Sequence, residues 1–318
     1  MRDPASIRAA VLAGPRWFEL AEVRPPEPRP GEVRVRVEGC GVCGSNLPPW
    51  QGREWFRYPF APGAPGHEGW GVVTAAGPEV RGLGEGDRVA LLSTASFADE
   101  EVLPASLAVP LPPGLAGPFP GEAIGCAVNV VRRARIARGE RVAVVGTGFL
   151  GLVAVRLAAH AGARVLALSR RPSALALARA LGAEEALPFE GGAARVAERT
   201  GGAGCDVVIE AVGLQGALDL ASAAVREGGR LVIAGFHQDG PRTVDLCAWN
   251  WRGLEIVNAH ERDLEIRRAG VVEAARLVTA GLLDLGSLLR AYPLAEIGTA
   301  FRAMEERPEG FVKAVVTT

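Results

Sequence analysis

Residues 141–162 read "RVAVVGTGFLGLVAVRLAAHAG". A short apolar run ends at Val145, six residues from Gly146 to Gly151 follow, and an apolar-periodic stretch then closes on Gly162. The first run suits a buried strand and the second is long enough for a helix. Their junction is a G-x-G-x-x-G. Gly146 allows a tight turn, Gly148 lets the backbone approach a pyrophosphate, and Gly151 lets the helix pack closely on the strand. Phosphate oxygens then meet the amides of the helix N-terminus. The residues expected at a dinucleotide are therefore Gly146, Gly148, Phe149, Leu150 and Gly151.

The same rhythm extends on both sides. "EAIGCAVNVVRRARI" precedes the stretch as a helix. "ARVLAL" (strand), "PSALALARALG" (helix), "CDVVIEAVG" (strand), "ALDLASAAVREGG" (helix) and "RLVIAG" (strand) follow it. Strand alternating with helix needs crossover connections, and these predict a doubly wound parallel sheet over residues 122–259. Up to about residue 110 the signals are different. "GEVRVRVEGCG", "GWGVVTAAG" and "GDRVALL" are short strands separated by Gly and Pro turns, which predicts an irregular, β-rich domain. "AVPLPPGLAGPFPGE" reads as its exit linker. Past residue 260, a helix "AGVVEAARLVTAG" and a strand "FVKAVVTT" suit a return to the first domain, giving it residues 1–121 and 260–318. The fold class is α/β.

Composition excludes some partners. The formal net charge of −1 gives no global field for nucleic acid or an anionic membrane. No apolar run approaches the roughly 20 residues that span a bilayer, and the N-terminus lacks the apolar core of a signal peptide. The cytoplasm is the expected compartment. There, closely spaced thiols more often serve metal or redox chemistry than disulfides.

The residue ending the second strand of the nucleotide unit selects the cofactor. A carboxylate there binds a ribose 2′-hydroxyl and repels a 2′-phosphate. This chain has Ser169, Arg170 and Arg171 instead, a hydroxyl and two guanidinium groups that suit a phosphate. NADP(H) is expected in preference to NAD(H). The other reading is a solvated turn in an arginine-rich chain.

Cys40 and Cys43 stand in "GCGVCGSNLPPW", and "GHEGWGVVTAAGPEV" follows, carrying His67 and Glu68. Thiolate, imidazole and carboxylate suit tetrahedral Zn²⁺ with one position open. These two motifs, with "EAIGCAVNVVRRARIARGERVAVVGTG" and the final "ERPEGFVKAVV", resemble the zinc-containing medium-chain alcohol and polyol dehydrogenases over nearly the whole chain. "GHE" with Gly71, Gly77 and Val80 matches that family's zinc signature. The resemblance implies a GroES-like catalytic domain beside a Rossmann domain, and zinc-assisted hydride transfer between an alcohol or polyol and a nicotinamide cofactor. By position, it implies Cys43 and His67 as ligands of one catalytic zinc per chain. Glu68 or Glu122 completes the set, with Cys126 as the alternative, and Ser45 accepts the proton. It also implies a homodimer or homotetramer.

Three departures stand out. The four cysteines of the family's structural zinc are missing after "GDRVA". The usual aspartate that orients the zinc histidine is Asn46, whose amide oxygen is expected to hold the tautomer instead. Pro48 replaces an outer relay histidine. Trp50, Trp55, Phe56 and Tyr58 either wall a cleft for a polyol or anchor the lobe to its own core. Cys40, Cys205 and Cys247 read as packing or surface thiols, and His237 and His260 as loop residues. The rivals are a zinc-free quinone or enoyl reductase of the same superfamily and a non-catalytic nucleotide-binding protein.

Overall fold

The computed structural model describes residues 6–318 and divides into two compact units, one ending at Gly125 and resuming at Arg267–Thr318, the other Cys126–Ile266. In the first unit the strands are β1 (Ile7–Gly14), β2 (Trp17–Val23), β3 (Glu32–Gly41), β4 (Gly69–Ala76), β5 (Arg88–Leu91), β6 (Glu100–Pro104) and β7 (Ala108–Pro110). The second unit carries β8 (Arg141–Val145), β9 (Arg164–Ser169), β10 (Glu185–Pro188), β11 (Cys205–Glu210), β12 (Val225–Ile233) and β13 (Glu255–Asn258). The chain then returns to the first unit with β14 (Leu289–Pro293) and β15 (Lys313–Thr317). The helices are α1 (Leu47–Gln51), α2 (Gly121–Ala134), α3 (Phe149–His160), α4 (Pro172–Ala180), α5 (Gly192–Thr200), α6 (Gln215–Ala224), α7 (Leu246–Trp251), α8 (Leu264–Thr279) and α9 (Ile297–Glu306).

The second unit is the expected doubly wound sheet, six parallel strands ordered β10-β9-β8-β11-β12-β13. Its strands are apolar runs because both faces are covered, and Val142, Val144, Val165, Val207 and Val232 are all fully buried. The order reverses between β8 and β11. At such a switch point the carboxyl ends of the strands open a crevice.

The first unit holds a seven-stranded sheet in which β14-β15-β3-β4-β5-β7 are neighbours and β6 pairs with β3, plus the β1–β2 ribbon. Val33, Val35 and Val37 of β3 point into one core with Val73, Val89 and Leu103, as the alternation predicts. A second core gathers Trp50, Phe97, Ile297, Phe301 and Phe311. Trp50 is wholly buried and packs on Phe18 and Phe301 at centroid distances of 5.7 and 5.3 Å. Its indole N–H donates to Glu305 at 3.1 Å. Tyr58 packs against the same cluster. Both therefore anchor the lobe, while Trp55 is 48 % exposed.

Sequence periodicity misplaced some boundaries. "VREGG", read as the end of a helix, opens β12, because pairing with β11 outweighs local propensity. The linker reading of "AVP" gives way to β7, which pairs with β5. Helices α5 and α9 were not anticipated. No helix among the described residues is long and apolar enough to cross a membrane.

Replacing Trp50 with Ala removes a fully buried ring and leaves a cavity, so the variant should be destabilised by about 3–5 kcal/mol. Denaturant unfolding followed by circular dichroism measures this; a loss under about 1 kcal/mol would mean that the cluster does not support the lobe.

Candidate functional site

Two antiparallel strands bring the metal candidates together. β3 ends at Gly41 and β4 begins at Gly69, with Cys40 opposite Gly69 in register. Cys43 follows the first strand and His67-Glu68 precede the second, so both loops leave the sheet at the same end. β15 lies on the other side of β3 with Val315 opposite Gly41, which carries its first residue, Lys313, to the same place. The Gly41 N–H donates to Glu68 O at 3.1 Å and the Val42 N–H to Ala314 O at 2.9 Å. A side chain at Gly41 would meet the Glu68 carboxylate, 1.9 Å from its Cβ position.

The ligand atoms of Cys43, His67 and Glu68 lie within 4.8 Å of one another. The first two residues are partly buried and Glu68 is fully buried. His67 Nδ1 lies 3.0 Å from Pro65 O. A carbonyl only accepts, so Nδ1 carries the proton and Nε2 keeps the lone pair that a metal uses. Nε2 faces Ser45 Oγ at 3.4 Å, and the ring is also hydrogen-bonded to Cys43. Asn46 turns its amide nitrogen, not the expected oxygen, to the ring, with Nδ2 3.4 Å from His67 Nδ1. Its Oδ1 accepts the Cys43 N–H at 2.8 Å and its Nδ2 donates to Pro65 O at 3.0 Å. The amide ties the two loops together, and a backbone carbonyl orients the histidine.

Burial pulls the His67 pKa down. The hydrogen bond and charge of Cys43, with the charges of Glu68 and Glu122, outweigh it and bring the value up to about 10. Such a site holds a proton firmly between donor atoms, and a cation can take that proton's place.

Lys313 is the chain's only lysine, and sequence reasoning did not assign it to the site. It is 3 % exposed. Its Nζ lies 2.6 Å from Glu68 Oε2 and donates to Glu68 Oε1 at 2.9 Å and to Val42 O at 3.1 Å. Desolvation lowers its pKa, but Glu68, Cys43 and Glu122 more than offset this and keep the ammonium above its ordinary range. The sole signal in the sequence was its rarity. Glu122, in the first turn of α2, is outside the three-residue cluster; its Oε1 is 3.7 Å from Arg267. Its charge nonetheless reaches both His67 and Lys313. Cys126 is a partly buried cysteine outside any disulfide and is assigned to the other unit.

In the second unit the glycine turn has the form a dinucleotide needs. Gly146 adopts φ +100°, and a Cβ on Gly151 would stand 1.9 Å from Gly146 O. No side chain caps α3 at Gly148, and Phe149 and Leu150 form its first turn. Thr147 Oγ1 is buried there without a hydrogen-bond partner among the described residues. Ser169 ends β9, with its hydroxyl accepting the Arg171 N–H at 3.3 Å. Arg171 Nη2 donates to Thr147 O at 3.2 Å, which holds the guanidinium beside the turn. Arg170 is exposed. An open helix end, an orphaned hydroxyl and a nearby guanidinium fit an anionic ligand.

The comparisons agree with this geometry. Residues 29–113 match the alcohol dehydrogenase GroES-like domain and residues 150–263 the zinc-binding dehydrogenase domain. An alcohol dehydrogenase of Geobacillus stearothermophilus is 32 % identical over 90 % of this chain and 92 % of its own. A 2-dehydro-3-deoxy-L-galactonate 5-dehydrogenase of Pseudoalteromonas atlantica is 28 % identical over 97 % of this chain and 98 % of its own. A zinc-binding dehydrogenase of Sinorhizobium meliloti 1021, solved with NADP bound, superposes with a TM-score of 0.85 at 25 % identity, over 98 % of this chain and 99 % of its own. The chain belongs to the zinc-binding alcohol and polyol dehydrogenases of the medium-chain family. It is an oxidoreductase that works with a nicotinamide cofactor.

The raised His67 value makes a prediction for metal-stripped protein. A folded-state pKa of about 10 against an unfolded value near 6.5 means that the folded state binds the extra proton. Stability from this source is complete below about pH 6.5 and is lost as pH rises towards 10. Thermal unfolding across that range should show the decline in the chelated parent protein and a flatter profile in His67→Gln. Identical profiles would remove His67 as the cause.

Proposed function

We propose that this protein is an NADP(H)-preferring alcohol or polyol dehydrogenase in which Cys43, His67 and a carboxylate hold one catalytic Zn²⁺. The reading rests on one observation, the convergence of thiol, imidazole and carboxylate within 4.8 Å beside the Ser45 hydroxyl. Glu68 is the carboxylate nearest to hand, and Glu122 is the second candidate. A bound zinc ion supplies Lewis acidity to an alcohol or carbonyl oxygen, and the nicotinamide supplies or takes up hydride. Ser45 would accept the substrate proton at Oγ while its own hydroxyl proton passes to the solvent that the partly exposed residue meets. Pro65 O and Asn46 keep His67 and Cys43 aimed at the metal. Lys313 balances the negative charge of the thiolate and carboxylates.

Ser169 and Arg171 support the NADP(H) preference, as a hydroxyl and a guanidinium beside the glycine turn with no carboxylate at the strand end. The alcohol class is supported by relatives acting on alcohols and sugar acids. Two partly or largely exposed aromatics, Trp55 and Phe56, suit a polyol's C–H faces. A homodimer or homotetramer formed along the β13 edge is supported by Trp251 and Leu246, 87 % and 68 % exposed on α7. We assign the protein to the cytoplasm, consistent with five cysteines that form no disulfide.

Elemental analysis of protein purified without chelator should give about one zinc per chain, lost in Cys43→Ser; two equivalents, or retention in the variant, would defeat the metal assignment. Ser45→Ala should keep its zinc and lower kcat by roughly 10²–10⁴ with an active alcohol. Near-normal turnover would remove Ser45 from proton transfer. Fluorescence titration should show NADPH bound about tenfold or more tighter than NADH, and Ser169→Asp/Arg171→Ala should reverse the order. Equal affinities in the parent protein would reduce Arg171 to a solvated turn.

A further inference from the structure

The loops that leave β11 and β12 are locked together by three side chains that the proposed chemistry does not use. Glu210 ends β11 and is fully buried. Its Oε1 accepts the N–H groups of Val212 and Gly213 at 2.7 and 2.8 Å, which fixes the turn after the strand. Its backbone carbonyl accepts the N–H groups of Ala234 and Gly235, both at 2.8 Å, from the turn after β12. Oε2 lies 2.9 Å from His237 Nε2. On the other side of that ring, Arg242 Nε donates to Nδ1 at 2.9 Å.

This pattern leaves one protonation state. A guanidinium has no acceptor, so His237 Nδ1 must offer its lone pair and the proton must sit on Nε2, aimed at Glu210. Arg242 also donates from Nη2 to Gly213 O at 2.9 Å and pairs with Asp239. The two loops touch backbone to backbone. Gly213 adopts φ +85°, and a Cβ there would be 2.7 Å from Phe236 O; a Cβ on Gly235 would be 2.2 Å from Gly213 N.

Two apolar side chains are aimed as a result. Val212 Cγ2 stands 2.4 Å from where a Cβ on Gly146 would be, so it lies against the first glycine of the dinucleotide turn. Phe236 is 55 % exposed and stacks on His260, with ring centroids 6.1 Å apart and planes 17° apart. Both belong to the carboxyl ends of β11–β13. Ser169 and Arg171 lie on the opposite side of β8, at the end of β9. A dinucleotide bound across a switch point places one nucleotide over each half of the sheet. If the phosphate-binding side takes the adenosine, the nicotinamide half falls to β11–β13.

We propose that Glu210, His237 and Arg242 form a positioning relay that sets Val212 and Phe236 as the apolar wall for the nicotinamide half of the cofactor. The proposal rests on the dinucleotide reading above. It makes His237 a neutral spacer between a carboxylate and a guanidinium, a role that a glutamine can fill because its amide donates from one atom and accepts at the other.

The test compares NADPH with 2′-phospho-ADP-ribose, which lacks the nicotinamide, by fluorescence and calorimetric titration of the parent protein, His237→Ala and His237→Gln. His237→Ala should bind NADPH roughly tenfold or more weakly, the loss of one charge-assisted link, and bind the fragment as the parent does. His237→Gln should recover NADPH binding to within about threefold, an affinity difference of well under one hydrogen bond. Equal weakening of NADPH and fragment in His237→Ala, or unchanged NADPH binding, overturns the relay. So does failure of His237→Gln to recover affinity. If the parent protein binds neither ligand, the dinucleotide reading falls and takes this proposal with it. A parent protein that binds both while His237→Ala behaves like it overturns the relay alone.

Discussion

The first unit is organised around one ion pair taken out of water. Placing the Lys313 ammonium and the Glu68 carboxylate in the interior carries a desolvation penalty of several kcal/mol per ion, which only close geometry and further hydrogen bonds offset. Both conditions are met, because Nζ reaches the two carboxylate oxygens and the Val42 carbonyl. The pair therefore demands that β15, the end of β3 and the start of β4 hold one register. A slip of one residue would turn Lys313 to the other face of the sheet and leave a bare carboxylate behind. The loop that bears Cys43 and the one that bears His67 inherit their separation from this constraint.

Both units build their sites by the same economy. Strand ends are brought to one edge, and backbone groups do work that side chains do in other arrangements. Pro65 O orients His67, and the helix end at Gly148 offers its amides where a phosphate is expected. Glu210 holds two turns through four backbone N–H groups. Backbone donors and acceptors are fixed by the fold itself, so they add little conformational entropy cost when the site closes on a ligand.

The sequence made local features legible. The glycine turn, the serine-arginine strand end and the His67-Glu68 pair are each encoded within a few residues, and their chemistry can be read without knowing what lies opposite. The alternation of Val33, Val35 and Val37 likewise announced its buried face. Long-range pairing was not legible. Lys313 and Glu68 are 245 residues apart, and nothing near Lys313 marks it as more than a strand residue. Glu210 read as one residue of a strand and His237 as a loop residue, because their meeting depends on the β11–β12 register. "VREGG" misled for a related reason, since glycine and charge at a helix end mimic what is here the start of a paired strand. Asn46 was found in the right place with the other end of its amide, Nδ2, turned to His67. Which of its two ends meets the histidine is settled only by the path of the chain at Pro65.

The scarcity of lysine has a practical side. All other positive side chains are arginines, so the protein offers amine-reactive reagents a single ε-amino group, and that group is sealed in the core beside Glu68. Acylating labels, cross-linkers and enzymes that modify lysine all need access to the nitrogen, which the folded sheet denies them. Any ε-amine label that appears on Lys313 thus records a moment when β15 has parted from β3. The chain carries its own reporter of local opening at the Cys43–His67 end of the sheet.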